Sequence, residues 1–314
     1  KVEDFNEAED LSVEEIIVED TSGIEILFGT DLVSGKELKW LPNDTDQLFH
    51  TNMGIIGTMG TGKTQFTKSV ITQLYMNRGK NVDGKDVGIL IFDYKGDYNQ
   101  SKEDFIQATN ASVYQPYHHP LALTKSKVFK PLLPIHTANA FKDTLSRAYG
   151  LGAKQQDTLF QCIIEAYHMC GIVEHDPTTW DNEPPTFEQV YQRYANDETI
   201  KKNDSLAAAM NKLHQFQIFE SVASNTKSLF DLLNGVVVID VSIFDTDVQN
   251  LIVAITLDLF YSQMQAAGSS KMDGKYRQLT KMILVDEADN FMSQGYPSLK
   301  KILKEGREFG VGTI

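Results

Sequence analysis

A chain of 314 residues can hold one large α/β domain or a core with an insertion, and a hydrophobic content of 41% excludes an intrinsically disordered polymer. The net charge of −14 argues at first against nucleic acid, because phosphate contacts need lysine and arginine. The imbalance is uneven: KVEDFNEAEDLSVEEIIVED, residues 1–20, holds nine acids against one lysine, and the other 294 residues carry only −6. That acidic head reads as a solvated segment or linker. The best apolar run, LIVAITLDLF at 251–260, is too short for a membrane span and carries Asp258. No basic stretch followed by an apolar one opens the sequence, so no secretory signal is expected and the cytoplasm is the expected location. Cys162 and Cys170 are the only cysteines; eight apart in an expected helix, they read as buried small hydrophobes rather than a disulfide.

Along the chain, Ile16–Val18, Ile24–Phe28 and Glu37–Trp40 read as short strands with Ser-Gly turns at 22–23 and 34–35, a small β-rich lead-in spanning about 21–50. Strands and helices then alternate. Asn52–Ile56 is expected as a short buried strand, followed by a glycine loop and a helix from about Lys63 to Met76. Val87–Phe92 is a continuous apolar run ending at Asp93, as for a strand covered on both faces. Residues 137–172 are strongly helical with a break at Gly150–Gly152. Thr186 before FEQV has the capping-box form, and 205–216 reads as another helix. Val236–Ile239 is a third apolar strand ending at Asp240, and a long helix is expected over Asp247–Ala267. Lys281–Val285 is a fourth strand, ending at Asp286–Glu287, and FGVGTI looks like a fifth beginning. Parallel strands separated by helices predict a doubly wound or related α/β sheet, with a mostly helical insertion at about 112–234 in a core covering 51–314.

Gly57-Thr58-Met59-Gly60-Thr61-Gly62-Lys63-Thr64 fits G-x-x-x-x-G-K-[ST] at every fixed position. Glycines let successive amides point at phosphate oxygens, and the helix that follows presents its positive end to an anion. Gly57, Thr58, Gly60, Thr61, Gly62, Lys63, Thr64 and Gln65 are therefore the expected nucleotide cradle. In it Lys63 reaches the β- and γ-phosphates and the Thr64 hydroxyl ligates Mg²⁺. KMILVDEADNFM, 281–292, is the second motif: a strand delivers Asp286, able to hold Mg²⁺ through water, and Glu287, able to polarise a water for attack on the γ-phosphate. This second carboxylate favours ATP hydrolysis over a GTP switch. In IFDYKGDYN, Asp93 could orient water or cap a turn before Gly96, and both roles stay open; Asp240 reads as a structural strand end. Arg307, in KEGREFG, is the candidate for a guanidinium supplied to a neighbouring subunit, with Arg147 and Arg277 as rivals. His118 and His119 adjoin Pro120 and read as a polar turn rather than a zinc site.

Taken together, GTMGTGKT, IFDYKGDY, ILVDEADNF and KILKEGREFGVGTI occur in the order found in HerA/FtsK-type ATPases, which the chain resembles over roughly 40–100 and 235–314. The resemblance implies a RecA-like P-loop core of the additional-strand, catalytic-glutamate class, with ATP and Mg²⁺ as ligands, duplex DNA as partner and a hexameric homo-oligomeric ring. By position it implies Lys63 and Thr64 for phosphate and Mg²⁺, Asp286 for the metal, Glu287 as base, Asp93 near the γ-phosphate and Arg307 as finger. It also implies a γ-phosphate-sensing polar residue just past Ile314. More narrowly, SRAYGLGAKQQDTLFQ, GVVVIDVSIFDTDVQNLIVAITLDLFYSQM and LKEGREFG are similar to the ATPase portion of the DptH family, which implies phosphorothioation-dependent restriction and other restriction-system subunits as partners. A motor of this kind needs basic loops on a ring axis; Lys125, Lys127, Lys130 and Lys154 are candidates. An ATP-gated scaffold that recruits nucleases without moving DNA is the competing function, and a degenerate nucleotide-binding subunit a third, disfavoured by intact Lys63, Asp286 and Glu287.

Overall fold

Three apolar runs, GILIFD, VVVID and KMILV, lie side by side in parallel and form the centre of a five-stranded sheet. A computed structural model describes residues 23–115, 120–123, 131–288 and 295–314. The acidic head, the strand expected at Ile16–Val18, His118, His119, Lys125, Lys127 and Lys130 lie outside the described residues.

The lead-in is an antiparallel pair, β1 (Ile26–Thr30) and β2 (Glu37–Trp40). Helix α1 (Lys63–Met76) follows the glycine loop, then come β3 (Gly88–Asp93), α2 (Glu103–Thr109) and β4 (Ser112–Tyr114). A helical stretch contains α3 (Leu133–Tyr149), α4 (Ala153–Met169), α5 (Phe187–Asn196), α6 (Ser205–Gln215) and α7 (Leu229–Leu232). It leads to β5 (Val236–Asp240) and α8 (Thr246–Ala267). A two-stranded hairpin, β6 (Met272–Asp273) with β7 (Tyr276–Arg277), precedes β8 (Lys281–Val285), α9 (Pro297–Glu305) and β9 (Val311–Thr313). The main sheet runs β4-β5-β3-β8-β9 with all pairs parallel.

Side-chain alternation explains why these runs are apolar throughout. Ile89 and Ile91 of β3, Val236 and Val238 of β5, and Met282 and Leu284 of β8 face a layer built from α1 (Val70, Ile71, Leu74), α2 and the lead-in pair. Leu90 and Phe92, Val237 and Ile239, and Ile283 and Val285 join the opposite layer with α3–α6, α8 and α9. A parallel strand covered on both faces has no solvent side to make polar. α8 is buried along most of its length for the same reason, packed between sheet and helical stretch. Thr186 caps α5 as its pattern predicts: the Thr186 amide donates to Gln189 Oε1 at 2.8 Å and the Gln189 amide to Thr186 Oγ1 at 3.3 Å.

Two expectations about strands change. Asn52–Ile56 forms no strand. Residues 51–53 run along the outer edge of β9, tied by the Met53 amide donating to the Thr313 carbonyl at 2.8 Å and Thr313 Oγ1 donating to Asn52 Oδ1 at 3.0 Å. The approach is close enough that a side chain at Gly312 would stand 2.4 Å from the Thr51 carbonyl. With one main-chain bond the segment lies parallel to the sheet without a ladder. β4 is the opposite case, an edge strand of three residues at the start of the stretch expected to be helical. Cys162 is buried, which pushes its thiol up to about 11. No helix among the described residues is long and apolar enough to cross a membrane.

Ile91 is fully buried at the centre of β3. Replacing it with alanine should lower unfolding stability by about 2–5 kcal/mol, seen as a lower denaturant midpoint at unchanged slope.

Candidate active site

The glycine loop emerges from the segment beside β9 and turns into α1 at the carboxyl edge of the sheet. Gly60 and Gly62 have φ of 78° and 87°, left-handed backbone that glycine adopts at least steric cost. Gly62 is the N-cap of α1, which has no side-chain cap and no acidic residue in its first turn. The first-turn amides are therefore left for a ligand, and the positive end of the helix has no built-in counter-charge. Lys63 Nζ donates to the carbonyls of Gly57 at 2.8 Å and Thr58 at 3.0 Å, while Thr61 Oγ1 also donates to Thr58 at 2.8 Å. Thr64 and Gln65 occupy the first turn of α1, the former half-buried and the latter exposed.

Asp93 ends β3 next to this helix. Its Oδ1 accepts the amides of Lys95, Gly96 and Asp97 at 3.3, 2.8 and 2.9 Å, and Oδ2 accepts that of Tyr98 at 2.8 Å. Of the two roles its sequence context allows, capping a turn is the one these bonds describe. The carboxylate is fully buried; burial pushes its pKa up, the amides of Tyr98 and Asp97 pull it down, and Asp240, its register partner on β5, pushes it up again. Asp240 caps its own loop, accepting from the Ser242 amide at 3.0 Å and Ser242 Oγ at 2.6 Å. The turn that Asp93 organises meets α1: Lys68 Nζ lies 5.5 Å from the centroid of the wholly buried Tyr98 ring. Burial, and then the charge of Asp286, drive the Tyr98 phenol far above its usual range.

Asp286 and Glu287 follow β8 at the same edge. Phe92 and Val285 are register partners, so the residues after them, Asp93 and Asp286, leave neighbouring strands side by side. Burial raises the Asp286 carboxyl; the Glu287 amide, which donates to Asp286 Oδ1 at 3.0 Å, opposes this, and the charges of Glu287, Asp97 and Asp93 add to the rise. Such crowding of negative charge is what a divalent cation would relieve. A threonine hydroxyl and a carboxylate are the hard oxygen donors that Mg²⁺ takes alongside phosphate and water. The residues present thus fit Mg·nucleotide: an uncapped helix end over glycine turns for phosphate, Lys63 beside it, and Thr64 with Asp286 for the metal. Glu287 has φ of 53°, left-handed for a residue with a side chain, and its carboxylate is ion-paired with Lys95. Sequence reasoning did not identify Lys95; the only trace of it was a lysine inside the FDYKGDY stretch.

Arg307 stands apart. It is exposed on the turn Gly306–Phe309 that enters β9, whose first residue Val311 pairs with Lys281, the first residue of β8. The strand length, on the order of 13 Å for four steps, separates it from Asp286 of its own chain. Arg277 Nη1 donates to the Glu308 carbonyl and to Ser270 Oγ, both at 3.2 Å, and so anchors that turn. Arg147 is exposed on α3. Lys154 lies exposed in the first turn of α4.

The model of the HerA helicase central domain matches residues 29–260. The chain belongs to that family. Among solved structures, VirB4 of Thermoanaerobacter pseudethanolicus is similar with a TM-score of 0.62 at 17% identity, over 94% of this chain and 76% of that one. A bacterial conjugative coupling protein, TrwBΔN70, aligns at 13% identity with a TM-score of 0.45, over 82% of this chain and 61% of that one. No curated protein matches the sequence. The parallel sheet with flanking helices is the RecA-like P-loop fold, and the chain is a HerA/FtsK-type P-loop ATPase in family and architecture.

If Asp93 holds the 95–98 turn, Asp93→Asn should destabilise the ligand-free protein by about 1–3 kcal/mol, because the Tyr98 amide then faces an NH2 donor where it had the Oδ2 acceptor and the other amides lose a charged one. Denaturant unfolding measures this; a residue acting only on water at the site would leave stability unchanged.

Proposed function

We propose that the chain hydrolyses Mg·ATP and uses it as a HerA/FtsK-type motor on duplex DNA. The observation that carries this reading is that α1, opened by the glycine loop, contacts the turn after β3 through Lys68 and Tyr98, while β8 sends Asp286 and Glu287 out beside that same strand end. Amides of Gly57, Thr58, Gly60, Thr61 and Gly62, with Lys63, would take the phosphates, and Gln65 extends that first turn. Thr64 and Asp286 would hold Mg²⁺, which when bound supplies charge neutralisation at the phosphates. Glu287 would polarise the attacking water. Asp93 acts through the turn it organises. Arg307 is assigned a role in trans, since its place at the opposite end of β8 and β9 keeps it from its own acidic pair.

A homo-oligomeric ring, hexameric by resemblance, is supported by the apolar side chains of Ile56 and Met59, each 97% exposed on the glycine loop. A second copy would cover them and bring Arg307 to the site. Service in a phosphorothioation-dependent restriction system, with its other subunits as partners and the cytoplasm as location, rests on the narrower DptH-like stretches. The net charge of −14 favours a second reading, an ATP-gated scaffold that recruits nucleases without translocation.

ATP turnover with and without duplex DNA separates the two. A motor gives DNA-stimulated turnover with steep salt dependence, and Glu287→Gln lowers kcat by about 10²–10⁴-fold. Turnover indifferent to DNA favours the scaffold. For Arg307, mixing inactive Arg307→Ala with inactive Glu287→Gln should restore part of the activity, because some interfaces then pair an intact base with an intact arginine. No recovery on mixing would remove the trans role.

A further inference from the structure

Glu287 makes a contact that neither the glycine loop nor the sheet requires. Its carboxylate is ion-paired with Lys95 Nζ, although 192 positions separate the two residues. Each stands two residues past the end of its strand, Lys95 after β3 and Glu287 after β8, and those strands are neighbours in register. Both backbones are held in place. Asp93 accepts every amide from Lys95 to Tyr98, and the Glu287 amide is tied to Asp286 in left-handed backbone, an uncommon conformation that persists where surrounding contacts over-determine it. The side chains differ in exposure, 59% for Lys95 against 29% for Glu287.

We propose that Lys95 is a positioning residue that latches Glu287 and restrains hydrolysis until the ammonium lets go. The inference rests on the reading of Glu287 as the base. A carboxylate polarises water by accepting its hydrogen bond, and the Lys95 ammonium competes with water for Oε1 while fixing the direction of the carboxylate. With both backbones pinned, the latch opens by rotation about the lysine's own side-chain bonds. The ammonium is the exposed partner, so it is the one an incoming anion can draw away.

The test is the steady-state ATPase of the wild type, Lys95→Gln, Lys95→Arg, Glu287→Gln and the Lys95→Gln/Glu287→Gln double variant. Lys95→Gln should raise kcat about two- to fivefold, the change an exposed ion pair can impose, with KM within about twofold. Lys95→Arg, which keeps a cation, should turn over more slowly than Lys95→Gln, and Glu287→Gln should lower kcat by about 10²–10⁴-fold in both backgrounds. An unchanged or lower kcat in Lys95→Gln, in a protein whose activity Glu287→Gln removes, overturns the latch alone. Turnover that Glu287→Gln lowers by less than about tenfold, or that is absent from both wild type and Lys95→Gln, overturns the latch and the reading of the base together.

Discussion

The site depends on the in-register parallel pairing of β5, β3 and β8. That pairing places Asp240 beside Asp93 and sends Asp286 out next to them, so acidic strand ends gather at one edge of the sheet. Like charges so close repel, and the protein offsets each differently. Asp93 is surrounded by main-chain amides, Asp240 by Ser242, and Glu287 by Lys95. At Asp286, among the described residues, burial and like charge push the pKa up and the Glu287 amide opposes them. Under the proposed function that negative potential would attract a divalent cation, and it arises from sheet register rather than from any one side chain.

The glycine loop is the complementary device. α1 starts without a side-chain cap or an early acid, an arrangement that sacrifices helix stability at its N-terminus. The loss is made up by packing further along, where Val70, Ile71 and Leu74 are fully buried against β3, β5 and β8. The two ends of the helix are thereby different: the first turn is left uncapped, and the residues further along face the core. The Asp93 turn links the halves of the site, since Tyr98 touches the α1 layer and Lys95 reaches Glu287.

Much of this was legible from local pattern. α1 and β8 begin and end where their apolar spacing and flanking residues place them, and the Thr186 capping box forms. Local pattern failed where long-range contacts decide. The 52–56 run has strand-like residues, yet its single main-chain bond to β9 gives no ladder. β4 is three residues long, too short for a period, and is a strand because β5 lies beside it. Asp93 could not be assigned from sequence because its choice between water and turn depends on where four amides point. The Lys95–Glu287 pair joins residues almost two hundred positions apart, which no local signal reports.

Calorimetric titration with Mg²⁺ and a non-hydrolysable ATP analogue tests the central claim, that the 57–65 loop and Asp286 together form a Mg·nucleotide site. The account predicts one binding event per chain, weakened without Mg²⁺ and lost in Lys63→Ala. Absence of binding by the wild-type chain, or binding that Lys63→Ala leaves intact, would contradict it.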